Sequence, residues 1–238
     1  MFSYDVIFQN HRRFQSVFKQ HDFIFKVASE ECLESLSELQ IAPTSILILG
    51  HFPLIEQLQQ TYPNATINYK PEFNPTLETT STYDLIISIG QFQWINDPIT
   101  YLNTIKSILN PKAVFYGIFP GEDSFKALHK ALIKAEMVLR NGASQRIIPM
   151  VSASDTLSLM QAAAFKNPLV HIASLELHHN TIYDLMNDIK GMGGSNPLSD
   201  RPKEFAPKKL FSLANSYLIE RKSYIESIID LIVMIGHK

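Results

Sequence analysis

The residues with the clearest chemical potential lie at one turn. The apolar run Ile46-Leu47-Ile48-Leu49 ends at Gly50-His51-Phe52, and Pro53, Leu54, Ile55 and Leu58 follow at helical spacing. A buried strand that stops on glycine and feeds a helix leaves backbone N–H groups free to cradle a cofactor. Gly50 permits the turn, and His51 places an imidazole beside it. Gln91, Phe92, Gln93 and Trp94 follow the second strong apolar run, Asp84-Leu85-Ile86-Ile87-Ser88, at the carboxyl edge where ligands sit in parallel sheets. Each has a plainer reading beside the functional one: Gly50 as a strand-ending turn, His51 as a loop histidine, Phe92 and Trp94 as core aromatics.

Other reactive side chains are sparse. His178-His179 invites a metal reading, but adjacent strand residues point to opposite faces, so the pair does not form a shared ligand set and no metal is expected. Cys32 lies on an amphipathic stretch near acids, without the cation that would make it a nucleophile. Gly191-Met192-Gly193-Gly194 ends a helical stretch. One glycine would serve for that, so three of them followed by Ser195-Asn196 point to a flexible loop where a substrate or partner chain approaches. Arg201 and Arg146 could anchor an acidic group there, with solvated surface as the default for both. No Ser-His-Asp order, Cys-His pair, phosphate-binding Walker loop or zinc spacing occurs, and no catalytic residue is assigned.

These positions are carried by alternating elements. Helical periodicity covers residues 5–14 and 22–39, the first lying outside the main fold. Strands are expected at 46–49, 65–69, 83–89, 113–119, 169–177 and 224–235. Helices are expected at 54–61, with Pro53 as its first residue; from Asn96-Asp97-Pro98 to Leu109, stopping at Asn110-Pro111; at 123–139; from a Ser154-Asp155 cap to Phe165; at 181–190; and from Pro207 to about Lys222. Residues 70–82, with Pro71, Pro75 and a run of Thr and Ser, read as loop. Alternation of this kind argues a mostly parallel α/β sheet.

The whole chain sets bounds on function. It has 238 residues, a net charge of -2, and 15 lysines to 6 arginines with no basic block, so no field draws in nucleic acid. A single cysteine excludes an internal disulfide and fits a reducing cytoplasm. The start lacks a secretory pattern, and the run Leu231 to Ile235 falls far short of the roughly 20 apolar residues that cross a bilayer. The expectation is a cytoplasmic protein, with a peripheral place at the inner membrane left open.

Taken together, the segments His21-Asp22-Phe23, Tyr83 to Ser88, Gln93 to Pro98, Gly121-Glu122-Asp123-Ser124, Ile148-Pro149-Met150, Asp188 to Asn196 and Met234 to Lys238 resemble a known family. The chain is similar to class I S-adenosylmethionine-dependent methyltransferases. Within that class it resembles the methyltransferase-like assembly factors of respiratory complex I and the malonyl carrier-protein methyltransferase of biotin synthesis. The resemblance implies a Rossmann-like sheet of seven strands, mostly parallel with an antiparallel last strand. It divides the chain into an N-terminal helical extension (1–40) and an α/β domain (41–238), with residues 170–238 turned towards substrate or partner.

The resemblance also implies S-adenosylmethionine as cofactor, held by Gly50, His51, Phe52, Asn68, Gln91 and Trp94. A protein substrate or partner would be met by Gly191, Met192, Gly193, Ser195, Asn196 and Arg201. The departures fall on the cofactor side. Where relatives carry Asp-Leu-Gly-Cys-Gly-Xaa-Gly, this chain has Ile48-Leu49-Gly50-His51-Phe52-Pro53-Leu54. A side chain in the left-handed conformation that glycine allows costs roughly 1 to 2 kcal/mol before any clash. The ribose-binding acid is replaced by Asn68 or, one turn later, Glu72, and the stretch from Gly50 to Tyr83 is shorter than the family's, so an element on that edge is cut back. Three readings stay open: a degenerate methyltransferase-like protein that handles a protein substrate in complex I assembly, an active methyltransferase, and a non-catalytic interaction domain.

Overall fold

The computed structural model describes residues 1–15, 21–201, 206–219 and 222–238. The apolar runs become the middle of one sheet. Its strands are β1 (Ser45–Leu49), β2 (Thr66–Lys70), β3 (Tyr83–Ile89), β4 (Leu109–Pro120), β5 (Lys166–His179) and β6 (Ile225–His237), in the order β2-β1-β3-β4-β6-β5. β1 pairs in parallel with β2 and β3, and β3 with β4, while β6 runs antiparallel to β4. Ile46, Leu47, Ile48, Leu85, Ile86 and Ile87 are wholly buried. That accounts for their continuous apolar runs, since an inner parallel strand has no solvent face.

The sheet has six strands among the described residues, not the seven expected. β2 and β3 flank β1, so residues 71–82 must cross over it, and they contain no helix or strand. Joining parallel strands takes about a dozen residues at the least. The segment is long enough for the crossing and too short to lay a further strand beyond β2.

Eight helices are described: α1 (Tyr4–Gln15), α2 (Phe23–Glu38), α3 (Ile55–Thr61), α4 (Pro98–Ser107), α5 (Lys126–Arg140), α6 (Ala153–Ala162), α7 (Ile182–Gly191) and α8 (Lys208–Leu218). The Asp97 carboxylate caps α4 by accepting from Thr100 N, with Pro98 in the first turn. Thr181 and Asp184 close a capping box on α7. Other ends move. α3 begins after Leu54, so Pro53 lies in the preceding turn and not at the first helical position. α6 is capped by Ser152, which accepts from Asp155 N, and not by Ser154. α4 stops at Ser107, and Asn110-Pro111 enters β4 at a shift in the β3 register. There Asn110 Nδ2 donates to Asp84 at 2.7 Å, joining Thr44 and Ser45 on the same carboxylate. Burial alone would raise the Asp84 carboxyl; the hydrogen bonds from Asn110, Thr44 and Ser45 outweigh it and hold the group well below the ordinary range. A helix from Pro207 reaches Leu218, and the expected continuation to Lys222 crosses residues 220 and 221, which lie outside the described residues.

The chain divides into two compact units. One comprises residues 22–121, 151–173 and 231–238, and holds the buried centre of the sheet. The other comprises residues 1–21, 122–150 and 174–230. Its core joins Leu128, Leu132 and Ala135 of α5 to Ile182 and Leu185 of α7, Leu210 and Ala214 of α8, and Ile225. The start of the chain is tied into this second unit, with Ser3 N donating to Pro197 O at 2.9 Å and Asn10 Nδ2 to Ser195 O at 3.0 Å. α1 falls in one unit and α2 in the other. No described helix is long and apolar enough to cross a membrane.

Candidate functional site

The turn after β1 is shaped first by the strand beside it. Gly50 has φ +88°, and its N–H donates to Lys70 O at 2.9 Å. A Cβ on Gly50 would stand 2.0 Å from Ile89 O, at the end of β3. Glycine is thus required here so that β1 and β3 can end side by side, whatever binds nearby. The next residue of consequence is Phe52, which is only 1% exposed. Its N–H donates to the Tyr69 hydroxyl at 3.3 Å.

Gln91 closes the same turn. It too is 1% exposed, and its Oε1 accepts from Asn74 N at 3.2 Å, while its Nε2 lies 3.0 Å from where a Gly50 Cβ would be. Asn74 belongs to the crossover segment, whose Phe73 and Leu77 are each 3% exposed. The Asn74 side chain accepts from Leu77 N and Thr76 N, folding the segment on itself. A stretch that reads as loop therefore delivers two core side chains and ties itself by backbone to Gln91.

His51 packs edge-on against Phe25, with ring centroids 5.6 Å apart, and its Nδ1 lies 3.4 Å from the Tyr69 hydroxyl. Burial pushes the imidazole down to about 4, with Asp22 partly opposing the shift. His51 is thus neutral near pH 7, and the unfolded chain binds its proton more readily than the folded one. Stability held above pH 6.5 is lost as the pH falls from 6.5 through about 4. Because His51 is half-exposed, the expected effect is modest, about 1 kcal/mol or less. His51→Asn should flatten that part of the profile of urea-unfolding free energy against pH.

The remaining cofactor candidates are employed elsewhere. Asn68 Nδ2 donates to the Tyr83 hydroxyl at 3.0 Å, and Glu72 is exposed. Trp94 and Phe92 sit in one 3-10 turn, 6% and 3% exposed, with the Phe92 ring 4.9 Å from that of Phe119. The structure therefore gathers Gly50, His51, Phe52 and Gln91 around Tyr69 and Asn74, and leaves Asn68 and Trp94 in the packing. Tyr69, Phe73 and Asn74 were not singled out in the sequence. The four-residue spacing of the apolar Phe73 and Leu77 is the one local sign that this segment packs.

The 191–196 block is held from within. Gly194 N donates to Ile189 O at 2.8 Å and Gly193 N to Lys190 O at 2.9 Å, with Gly193 at φ +79°, which is the Schellman closure of α7. A Cβ on Gly191 would fall 2.2 Å from the His21 ring, and one on Gly194 2.8 Å from Ile189 O. Each glycine has its own internal reason, so the three do not make the free loop that the sequence suggested. Met192 caps the helix C-terminally, Ser195 O accepts from Asn10, Asn196 Nδ2 donates to Gln145 O at 2.8 Å, and Arg201 Nη1 donates to Leu198 O at 3.3 Å.

Behind the block, Asp188 bridges two histidines. Its Oδ1 lies 2.8 Å from His21 Nδ1 and its Oδ2 2.8 Å from His179 Nε2. A carboxylate only accepts, so both facing ring nitrogens carry protons. His179 is nine-tenths buried, and its Nδ1 has no hydrogen-bond partner. His21 and Asp188 are 167 positions apart, so nothing in the local sequence announces the pair.

No family model matches the chain. RP459 of Rickettsia prowazekii, named as a methyltransferase, is 33% identical over 137 residues, covering 58% of this chain and 61% of that one. Mouse arginine-hydroxylase NDUFAF5, mitochondrial, is 32% identical over 148 residues, 62% of this chain and 43% of that protein. Malonyl-[acyl-carrier protein] O-methyltransferase 1 of Coxiella burnetii is 25% identical over 120 residues, 50% of this chain and 40% of that one. The matches thus span about half the length of these relatives. Among solved structures, the plantazolicin methyltransferase BpumL in complex with SAH superposes with a TM-score of 0.50 at 15% identity, over 95% of this chain and 90% of that one. The sheet order, the antiparallel β6 and the BpumL superposition together show a class I methyltransferase-like fold, and the sequence likenesses are to proteins named as methyltransferases and as arginine hydroxylases.

Proposed function

We propose that this methyltransferase-like protein has lost S-adenosylmethionine binding and acts by engaging a protein partner, in the assembly of respiratory complex I. The observation that carries the first half is the occupied turn. Phe52 is buried, and Gln91 is spent on Asn74 where a donor's methionine and ribose would need room and open N–H groups. The complex I assignment follows from the sequence resemblance and from relatives that are mitochondrial arginine hydroxylases by name, which points to an arginine-bearing protein as the target. Residues 191–196 and Arg201 are proposed as part of the partner-facing surface. Place of action is proposed to be cytoplasmic or peripheral at the membrane that holds the complex.

A second reading, an active S-adenosylmethionine-dependent methyltransferase, draws on the SAH held by BpumL, which shares the fold. It requires Phe52 to leave its site. Thermal melting with and without S-adenosylmethionine and S-adenosylhomocysteine separates the two. A ligand at about 100 times its dissociation constant stabilises by roughly 2.7 kcal/mol, a rise of several degrees. No rise with either compound is expected, a rise with both would overturn the loss of cofactor binding, and methyl transfer to a respiratory subunit on top of that rise would establish the active enzyme. Binding with no methyl transfer to any respiratory subunit would retain the interaction role and withdraw only the claim of cofactor loss.

A further inference from the structure

Glu176 and His178 stand two residues apart on β5, so their side chains project from the same face of the strand, and Glu226 stands on the neighbouring β6. One ligand atom from each lies within 4.8 Å of the other two. His178 Nε2 is 2.7 Å from Glu176 Oε1, the Tyr224 ring packs 4.6 Å from the imidazole, and Lys222 pairs with the Glu226 carboxylate. All five residues belong to the same compact unit.

We propose that Glu176, His178 and Glu226 form a binding site for one divalent transition-metal ion, with Zn2+ the ion they suit best. Zinc binds imidazole nitrogen and carboxylate oxygen at about 2.0 to 2.2 Å, which sets tetrahedral ligand atoms roughly 3.3 to 3.6 Å apart. Atoms already within 4.8 Å reach that spacing by side-chain torsions, with the strand ladder unmoved. Two carboxylates balance the charge of the dication. The imidazole favours a transition metal over Mg2+ or Ca2+, which take oxygen shells. The Glu176 and His178 side chains are 57% and 55% exposed and that of Glu226 34%, leaving the fourth position to water.

In the metal-free protein the site holds itself together by weaker substitutes. His178 and Glu176 share a hydrogen bond, and the Lys222 ammonium pairs with the Glu226 carboxylate. The ion replaces both: the imidazole presents its Nε2 lone pair, any proton there passes to solvent, and Lys222 turns away. Bound metal then fastens β5, the outer strand of the sheet, to β6. His179 takes no part, since the strand turns it towards Asp188.

The test is a calorimetric titration of the chelator-stripped full chain with zinc chloride at neutral pH. One ion per chain with a micromolar dissociation constant is expected. His178→Ala should weaken binding by at least about tenfold, and Glu226→Gln by a similar factor. His171→Ala removes a part-buried pair, His171 Nε2 to Glu31 Oε1 at 3.0 Å, which lacks a third ligand among the described residues, and should leave the titration unchanged. Cobalt(II) supplies an independent readout, a visible absorption band present in the native chain and absent from His178→Ala. Melting curves in chelator verify that the variants fold. Absence of saturable binding, or binding undiminished in both His178→Ala and Glu226→Gln, would overturn the assignment.

Discussion

Phe52→Ala is expected to lower folding stability by about 3 to 5 kcal/mol, the usual cost of deleting a buried phenyl ring. The position follows Gly50-His51 at the head of the β1 turn, where a cofactor-binding chain would keep glycine. Here the ring is 1% exposed and its own N–H is bonded to Tyr69. An exposed gate or a ring that swings aside for a ligand would lose little on truncation, about 0.5 kcal/mol. Urea unfolding of the purified variant decides between these. A large loss says that the phenyl group is core, and a small one says that it covers an accessible space. The cavity left by the truncation is also the place where S-adenosylmethionine, if any affinity survives in the rest of the turn, should begin to register.

Arg146→Ala should be as costly, for a different reason. Glu136 on α5 is 1% exposed and charged, and its Oε1 takes two bonds from Arg146, Nε at 3.0 Å and Nη2 at 2.6 Å, beside Ser144 N at 2.6 Å on Oε2. Removing the guanidinium strands a buried carboxylate, with an expected loss of about 3 to 5 kcal/mol near pH 7. The pH dependence gives the sign. Burial would raise the Glu136 carboxyl, but the Ser144 N–H and then Arg146 hold it below its ordinary value of 4.5. Its contribution is therefore full above pH 4.5 and disappears as the pH falls through the lower folded value. The gap between native chain and variant should narrow in acid. Glu136→Leu combined with Arg146→Met should recover most of the loss, because it removes the charge together with its partner. Arg146 thus has an internal occupation, and the sequence-level idea that it anchors an acidic ligand finds no free guanidinium.

The central strands were legible because a buried parallel strand leaves a continuous apolar run, as at Ile46–Leu49 and Leu85–Ile87. The loss on the β2 edge was legible too, in the short stretch between Gly50 and Tyr83, although the count of seven strands took the resemblance at its word. Less visible was the crossover segment. Its prolines and threonines read as loop, and only tertiary packing gives Phe73 and Leu77 their burial. Glycine was ambiguous in both places where it mattered. At Gly50 it answers to Ile89 O, and at Gly191 to the His21 ring; close approach by a neighbouring chain segment and close approach by a ligand call for the same residue. Cap positions shifted by two residues at α6, because Ser152 and Ser154 are chemically equivalent and the backbone decides between them. Pairs formed across the chain, such as His21 with Asp188 or His171 with Glu31, leave no local spacing to find.

One measurement bears on the cofactor question without intermediaries: isothermal titration of the purified chain with S-adenosylhomocysteine, the compound bound to BpumL, which shares the fold. The occupied turn around Gly50, Phe52 and Gln91 predicts no heat beyond dilution at millimolar ligand. A saturable isotherm with one site per chain would show that room exists there after all.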